Sequence, residues 1–448
     1  MKQNRPIWTL LAVALAASLL IAACAAPTTP ATPAPVEEQP VQEEPVQEQP
    51  AAGEIDCTGV NAGDTVTMLY QWSGIEEENL TKILTPWMQA CGVTVTPEAS
   101  RDQALLDTRI QAGTPPDVAF WTVTQLTQYK DKLIDMATLG ANSVNYAGYW
   151  QNIGSVDGKW LGLPVKADPK TLIWYSPKQF EAAGYTVPTT WEELDALVEK
   201  MVADGRVPWS LGMESGDATG WTGTDFIQDI LLVKQGPDYV NGIIAGTVAY
   251  DDAGVKEAYE IYGKWAKDPA YTVAGAEGTV STGFNDAILK VFAEEPEAMM
   301  VKQSGFAGGT IVGNYPDLVY GTDFDFFGVP GAQGLQGGSD WLMAFNDTPA
   351  VRSLIKYLSS DLGGKTWAEV GFDLTPNAAG AMAYIDPQLL KKAEILSSAT
   401  NFTADIGDSI PGGFGSAEFK GITDFVNGAD LDAVLATIAA AQKDAMSK

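Results

Sequence analysis

An α/β fold of two lobes with a cleft between them is what this sequence predicts, on three observations. Strand and helix signals alternate from residue 64 to residue 121, and a second set runs from 171 to 329. A late strand at 339–345 is placed to return to the first set. Two α/β lobes joined by several crossings follow, and ligand sites concentrate between domains.

The elements justify this in order. Residues 64–70 read as a strand, and Ser73 with Glu76 has the spacing of a capping box for the helix after it. Leu80, Ile83, Leu84, Trp87 and Met88 form that helix's apolar stripe, and Gly92 ends it. A second strand at 93–96, a helix at 102–112, the turn Gly113-Thr114-Pro115-Pro116 and a third strand at 117–121 complete a βαβαβ unit. The crevice of such a sheet lies beyond the carboxyl ends of its strands, here Gln71-Trp72-Ser73 and Phe120-Trp121-Thr122. Further on, 171–175 reads as a strand, and Thr190 with Glu193 caps a helix reaching Gly205. Residues 209–213 read as a strand, 224–235 and 252–267 as helices, 297–302 and 324–329 as strands, and the C-terminal third as mainly helical. The first lobe is thus expected at about 54–165 with a return segment near 339–390. The second is expected at about 176–330 with the C-terminal helices.

What precedes the body is of another kind. Residues 1–23 pair a cationic start at Lys2 and Arg5 with an apolar run, the pattern of a secretory signal too short for a retained span. The tetrapeptide Ile21-Ala22-Ala23-Cys24 resembles the bacterial lipobox, in which the cysteine is acylated and anchors an otherwise soluble body to the cell membrane. Residues 24–53 then supply the lipidated Cys24 and a Pro, Glu and Gln-rich tether that cannot bury a core. The folded body is 54–448.

Composition excludes several functions. Twenty-seven basic residues against 57 acidic ones give a net charge of −30, which repels nucleic acid. Histidine is absent, removing Ser-His-Asp and Cys-His catalysis and His-ligated zinc. Beyond Cys24 only Cys57 and Cys91 remain, too few for a Cys-only metal site. In an exported chain they are expected to form a structural disulfide, with a redox pair as the alternative. They precede neighbouring strands of the first βαβ unit, at the edge away from the crevice. Neither metal nor cofactor is expected.

Several segments look like those of the carbohydrate-binding members of the large extracellular solute-binding protein family. They are the stretch 106–118 ending in Gly113-Thr114-Pro115-Pro116-Asp117-Val118, then Trp174-Tyr175-Ser176-Pro177-Lys178, then Pro188-Thr189-Thr190-Trp191-Glu192-Glu193-Leu194. Val156-Asp157-Gly158-Lys159, Gly162-Leu163-Pro164-Val165-Lys166-Ala167-Asp168, and Gly212-Met213-Glu214-Ser215-Gly216 through Gly220-Trp221 resemble its α-glucoside-type importer branch. The resemblance runs from about Asp64 to the C-terminus. It implies a periplasmic-binding-protein-like fold and a non-enzymatic, monomeric chain that closes by hinge bending on a mono- or oligosaccharide, an α-glucoside by the narrower likeness. It also implies partners: the transmembrane subunits of an ABC permease, with a separate ATPase.

Sugars present hydroxyl edges and weakly apolar faces, so their sites need aromatic plates and a few charged or amide groups. Trp72 and Trp121 stand at strand ends facing the expected crevice. Trp221 follows a loop rich in Gly, Ser and Asp, and Trp341 with Asp340 follows Gly337-Gly338-Ser339 at an expected crossing. Each competes with the plain core role of most tryptophans. The resemblance adds Lys166, Glu214, the Gln303-Ser304 pair and Phe414 in the Pro411-Gly412-Gly413-Phe414 loop. Asp225 either shares a helical face with Trp221 or complements the helix dipole. An adhesin or purely structural role is one rival to this reading, and two others stand beside it. One is the same scaffold holding a peptide, polyamine or polyol. The other is a secreted glycoside hydrolase using Glu214 with Asp225, which needs two carboxyls about 5–9.5 Å apart.

Overall fold

The computed structural model describes residues 55–100 and 103–447, so the expected signal, Cys24 and tether lie outside the described residues. Its strands are β1 (Thr65–Tyr70), β2 (Thr94–Ala99), β3 (Val118–Trp121), the hairpin β4 (Ser155–Val156) and β5 (Lys159–Trp160), β6 (Leu163–Pro169), β7 (Leu172–Tyr175), β8 (Met300–Lys302), β9 (Asp325–Gly328), β10 (Leu335–Ala344) and β11 (Phe402–Ala404).

The opening βαβαβ unit forms as its periodicities dictate. β1 lies between β2 and β3, parallel to both, and buries Met68, Leu69 and Tyr70 in succession, as a strand covered on both faces does. The helix Ile75–Cys91 buries Leu80, Ile83, Leu84 and Trp87 against it, and Gly92 closes the helix at a φ of 64° that favours glycine. Cys57 and Cys91 are disulfide-bonded with Cα atoms 5.3 Å apart. Two long-range additions extend the sheet. β10 runs antiparallel to β3, with Trp341 opposite Trp121, and also pairs with β6 and β11.

A second sheet, β8-β7-β9, is antiparallel throughout. Strand alternation sends Ile173 and Tyr175 of β7 to one face and Leu172 and Trp174 to the other, each into a different apolar cluster. Around it pack the helices Trp191–Ala203, Trp221–Lys234, Ala253–Lys267, Phe414–Val426 and Leu431–Met446. The first of these carries the full capping box, Thr190 Oγ1 accepting from Glu193 N while Glu193 accepts from Thr190 N.

Apolar burial therefore divides into a first core, reaching Ala167 and then spanning Leu335 to Phe402, and a second, taking up the chain from Leu172 to Val329 and again from Ile406. The chain passes between them three times, near 168–171, 330–334 and 403–405.

Local readings fail at three places. The Ser73–Glu76 capping box does not form: Gly74 is the N-cap with no side-chain bond, and Glu76 accepts from Lys166 Nζ instead, at 3.1 Å. Residues 209–213 are extended but belong to no strand, because the partner changes from residue to residue. Trp209 N donates to Tyr271 O, Ser210 N to Met300 O and Met213 N to Thr279 O. The helix expected from Thr224 begins three residues earlier, at Trp221, so Trp221 and Asp225 do lie one helical turn apart.

Candidate ligand-binding site

β6 sets up the site. Leu163, Val165 and Ala167 enter the first core, so alternation leaves Lys166, Asp168 and, just past the strand, Lys170 on the other, half-buried side. Lys166 Nζ sits 3.0 Å from Asp373, 3.1 Å from Glu76 and 3.8 Å from Asp340. Asp340, on β10, accepts from Gln71 Nε2 at 2.6 Å and from Trp72 Nε1 at 3.3 Å, which ties the carboxyl end of β1 to this group. Phe372 lies beneath the ammonium, 5.0 Å from ring centre to Nζ.

Lys170 is the counterpart toward the second core. Its Nζ donates to Asp405 at 2.8 Å and to Asp225 at 3.2 Å, and it lies 5.6 Å from the centre of the Trp221 ring. Trp221 opens its helix half-exposed, with Phe284 edge-on at 5.3 Å and Phe306, itself 38% exposed, at 6.4 Å. A partly exposed aromatic group beside fixed charges is what a solute with apolar faces and hydroxyl edges requires.

Below this surface one helix binds the crossings together. Asp225, Gln228 and Asp229 share a face of Trp221–Lys234. Gln336 Nε2 donates to Asp229 at 2.9 Å and to the Asp225 carbonyl. Gln228 Nε2 donates to Thr403 Oγ1 at 3.2 Å and Ala404 O at 2.9 Å, while its Oε1 accepts from Ile406 N at 2.9 Å. The buried Lys302 lies 3.1 Å from Asp229 and 3.9 Å from Asp225. Lys170 N donates to Gln336 O at 2.8 Å and Gln336 N donates to Thr171 Oγ1 at 2.9 Å, joining the first crossing to the second.

The titration behaviour follows from burial and crowding. Burial pushes the Asp225 carboxyl well above the usual range, and the charges of Lys170 and Lys302 only partly oppose it. Burial would also raise Asp405, but the Lys170 charge and the hydrogen bonds it accepts outweigh this and hold it below that range. Lys170 is held well above its ordinary value although burial disfavours its charge, because Asp225, Asp405 and Asp408 surround it. Asp168 is pushed up to about 6 by burial and then by the Asp373 charge, against Lys392, Lys166 and Lys170.

The expected site residues fall into distinct places. Trp72, Lys166 and Asp340 converge in one group, and Trp221 and Asp225 in the other. Gln303 and Ser304 are buried, the Gln303 carbonyl accepting from Trp174 Nε1 at 3.1 Å. Trp121 is buried opposite Trp341, which packs on Trp150 at 5.8 Å, and Phe414 packs on Tyr250 at 5.5 Å inside the second core. Glu214 stands exposed, accepting from Gly216 N at 3.1 Å. Sequence reasoning missed Lys170, Asp168, Asp373, Asp405, Phe284, Phe306 and Phe372. For the first two a signal existed, the alternation of charges at 166, 168 and 170 along one strand.

Residues 73–365 match the model of the family described as bacterial extracellular solute-binding protein. The chain belongs to that family. Its members bind solutes outside the cytoplasm and are not enzymes, so the hydrolase pairing of Glu214 with Asp225 falls away. Among curated relatives of this solute-binding protein are the osmoprotective compounds-binding protein GgtB of Synechocystis sp. and the alpha-glucosides-binding periplasmic protein AglE of Rhizobium meliloti. GgtB is 32% identical over 85% of this chain and 93% of the relative. AglE is 33% identical over 82% and 84%. The fold matches that of the solute receptor AcbH at a TM-score of 0.70 and 19% identity, covering 86% of this chain and 97% of that one. It matches apo RafE of Streptococcus pneumoniae at 0.70 and 16%, covering 87% and 99%.

Proposed function

We propose that the two cores are the lobes of a clamp that closes on a mono- or oligosaccharide of α-glucoside type and presents it to the permease of an ABC importer. One observation carries this: the half-exposed Trp221, with Phe284 and Phe306, stands beside the fixed Lys170, Asp225 and Asp405 where the chain crosses between the cores. The likeness to AglE supports the α-glucoside. Lys166 and Asp340 meet the solute from the first lobe and Trp221 from the second, while the buried Trp72, Trp341 and Phe414 support the site from within the cores. A ligand touching both lobes binds the closed state more tightly and so shifts the chain toward it. Cys24 carries the lipid that holds the body at the membrane, and mass spectrometry of the native protein should find it as a diacylated N-terminus.

A second reading, a polyol osmoprotectant in the same site, draws on the likeness to GgtB. Thermal-shift screening of the mature body against α-glucosides, other saccharides and polyols separates the two. A ligand at 100 times its Kd should add about 2.7 kcal/mol. Stabilisation by a polyol or peptide with none from any saccharide would overturn the first reading.

A further inference from the structure

Each of the three ammonium groups at the crossing is already engaged. Lys170 pairs with Asp405 and Asp225, Lys302 with Asp229 and Asp225, and Lys166 with Asp373, Glu76 and Asp340. Other carboxyls add to the excess. Asp408 faces Lys170 from the short helix Ile406–Ser409, Asp168 lies between Lys166 and Lys170 on β6, and Glu418 faces Asp405 and Asp225 from Phe414–Val426. An anionic solute therefore meets ammonium groups already neutralised and an excess of carboxyls. A cationic solute finds the Asp405 carboxylate and the buried Asp225 carboxyl already bonded to Lys170, and an indole whose favourable position for a cation Lys170 holds at 5.6 Å.

We propose that Lys170 is the specificity-determining residue that makes this site select uncharged polyhydroxy solutes. It does so by occupying, with its own ammonium, the Asp405 and Asp225 carboxyls and the aromatic ring that a cationic solute would use. Hydroxyl groups are not excluded, because they add hydrogen bonds to groups whose charges stay paired. This rests on the saccharide reading above and goes beyond it by naming the charge class of the solute and the residue that sets it.

The test is calorimetric titration of the mature body with methyl α-glucopyranoside, maltose, glucosamine as its ammonium form, and glucuronate. Wild type should bind the neutral probes at least tenfold more tightly than either charged one. Lys170→Met should lose affinity for the neutral probes and gain at least tenfold for glucosamine, while Lys170→Arg should keep the wild-type order. Should Lys170→Met fail to fold, Lys170→Gln, which keeps a hydrogen-bond donor beside Asp405 without the charge, should likewise lose the discrimination against glucosamine. Wild type that binds a charged probe as tightly as the neutral ones overturns the filter and leaves the saccharide reading standing. So do Lys170 variants that keep the wild-type order. Wild type that binds none of the four overturns the saccharide reading, and the filter with it.

Discussion

Trp221→Ala distinguishes a ligand plate from a core residue, because the indole is half-exposed and supported on its inner side. Phe284 meets it edge-on at 5.3 Å, Phe306 lies at 6.4 Å and the Lys170 ammonium at 5.6 Å, so the ring is held while part of its surface stays open. A pyranose laid on that surface removes about 100 Å² of apolar area from water, worth about 2.5 kcal/mol at ~25 cal/mol/Å². The substitution should then weaken saccharide binding about fifty- to a hundredfold. A fully buried tryptophan would instead lose about 3–5 kcal/mol of fold stability on truncation. Titration with the best saccharide beside urea unfolding of the apo form measures both quantities. A large loss of stability with unchanged affinity would refute the plate.

Other perturbations have equally definite outcomes. Cys57 and Cys91 should resist alkylation until reduced, and reduction should cost about 3–4 kcal/mol for a bridge spanning 34 residues, read as a shift of the unfolding midpoint. Asp168 has its carboxyl raised to about 6 from an ordinary 3.8, so the folded state binds its proton more tightly than the unfolded. Its contribution is present in full below pH ~4 and is lost as pH rises through about 6; Asp168→Asn should flatten that loss and leave the protein more stable at pH 7, by about 1–3 kcal/mol. Gln228→Leu leaves Ile406 N and Ala404 O without their side-chain partner and should cost about 1–3 kcal/mol for each group, measured by denaturant unfolding.

Much of the first core was legible because its signals are local. The stripe from Leu80 to Trp87 and the stop at Gly92 are read within a few positions of one another, as is the capping box at Thr190 in the second core, and each appears where the spacing put it. The return of β10 toward the first set could be read from an apolar strand after the second set, but its pairing with three strands at once could not, since nothing local marks which part of β10 meets β3, β6 or β11. Local signals also misled where a distant group competed. Glu76 had the right offset to cap its helix, yet Lys166, 90 residues away, takes its carboxylate. Of the candidate aromatic groups, Trp221 alone among those named from the sequence is partly exposed, whereas Trp72, Trp121, Trp341 and Phe414 are buried. Trp221 announced itself by the loop before it, whereas Asp405, 235 residues from Lys170, carries no local mark of its partner.

The density of buried polar side chains at the crossings has a cause in the backbone. Where a chain leaves one sheet for another, its amides and carbonyls quit the ladder and must be satisfied elsewhere, since an orphaned buried group is costly. Thr171 lies between β6 and β7, and its hydroxyl and carbonyl accept from Gln336 N and Val329 N. At the third crossing Gln228 takes up Ala404 O and Ile406 N. Ion pairs such as Lys302 with Asp229 are poor sources of net stability, because desolvation offsets their attraction. What they and the glutamines do is fix how the ends of β8, β10 and β11 meet the one helix beside the crossings. A clamp needs this. One helix face that carries Asp225, Gln228 and Asp229 meets all three crossings and also presents Trp221. On the proposed reading, the element that holds the solute is therefore the one that sets the hinge, and a solute pressing on Trp221 acts directly on the segments that bend.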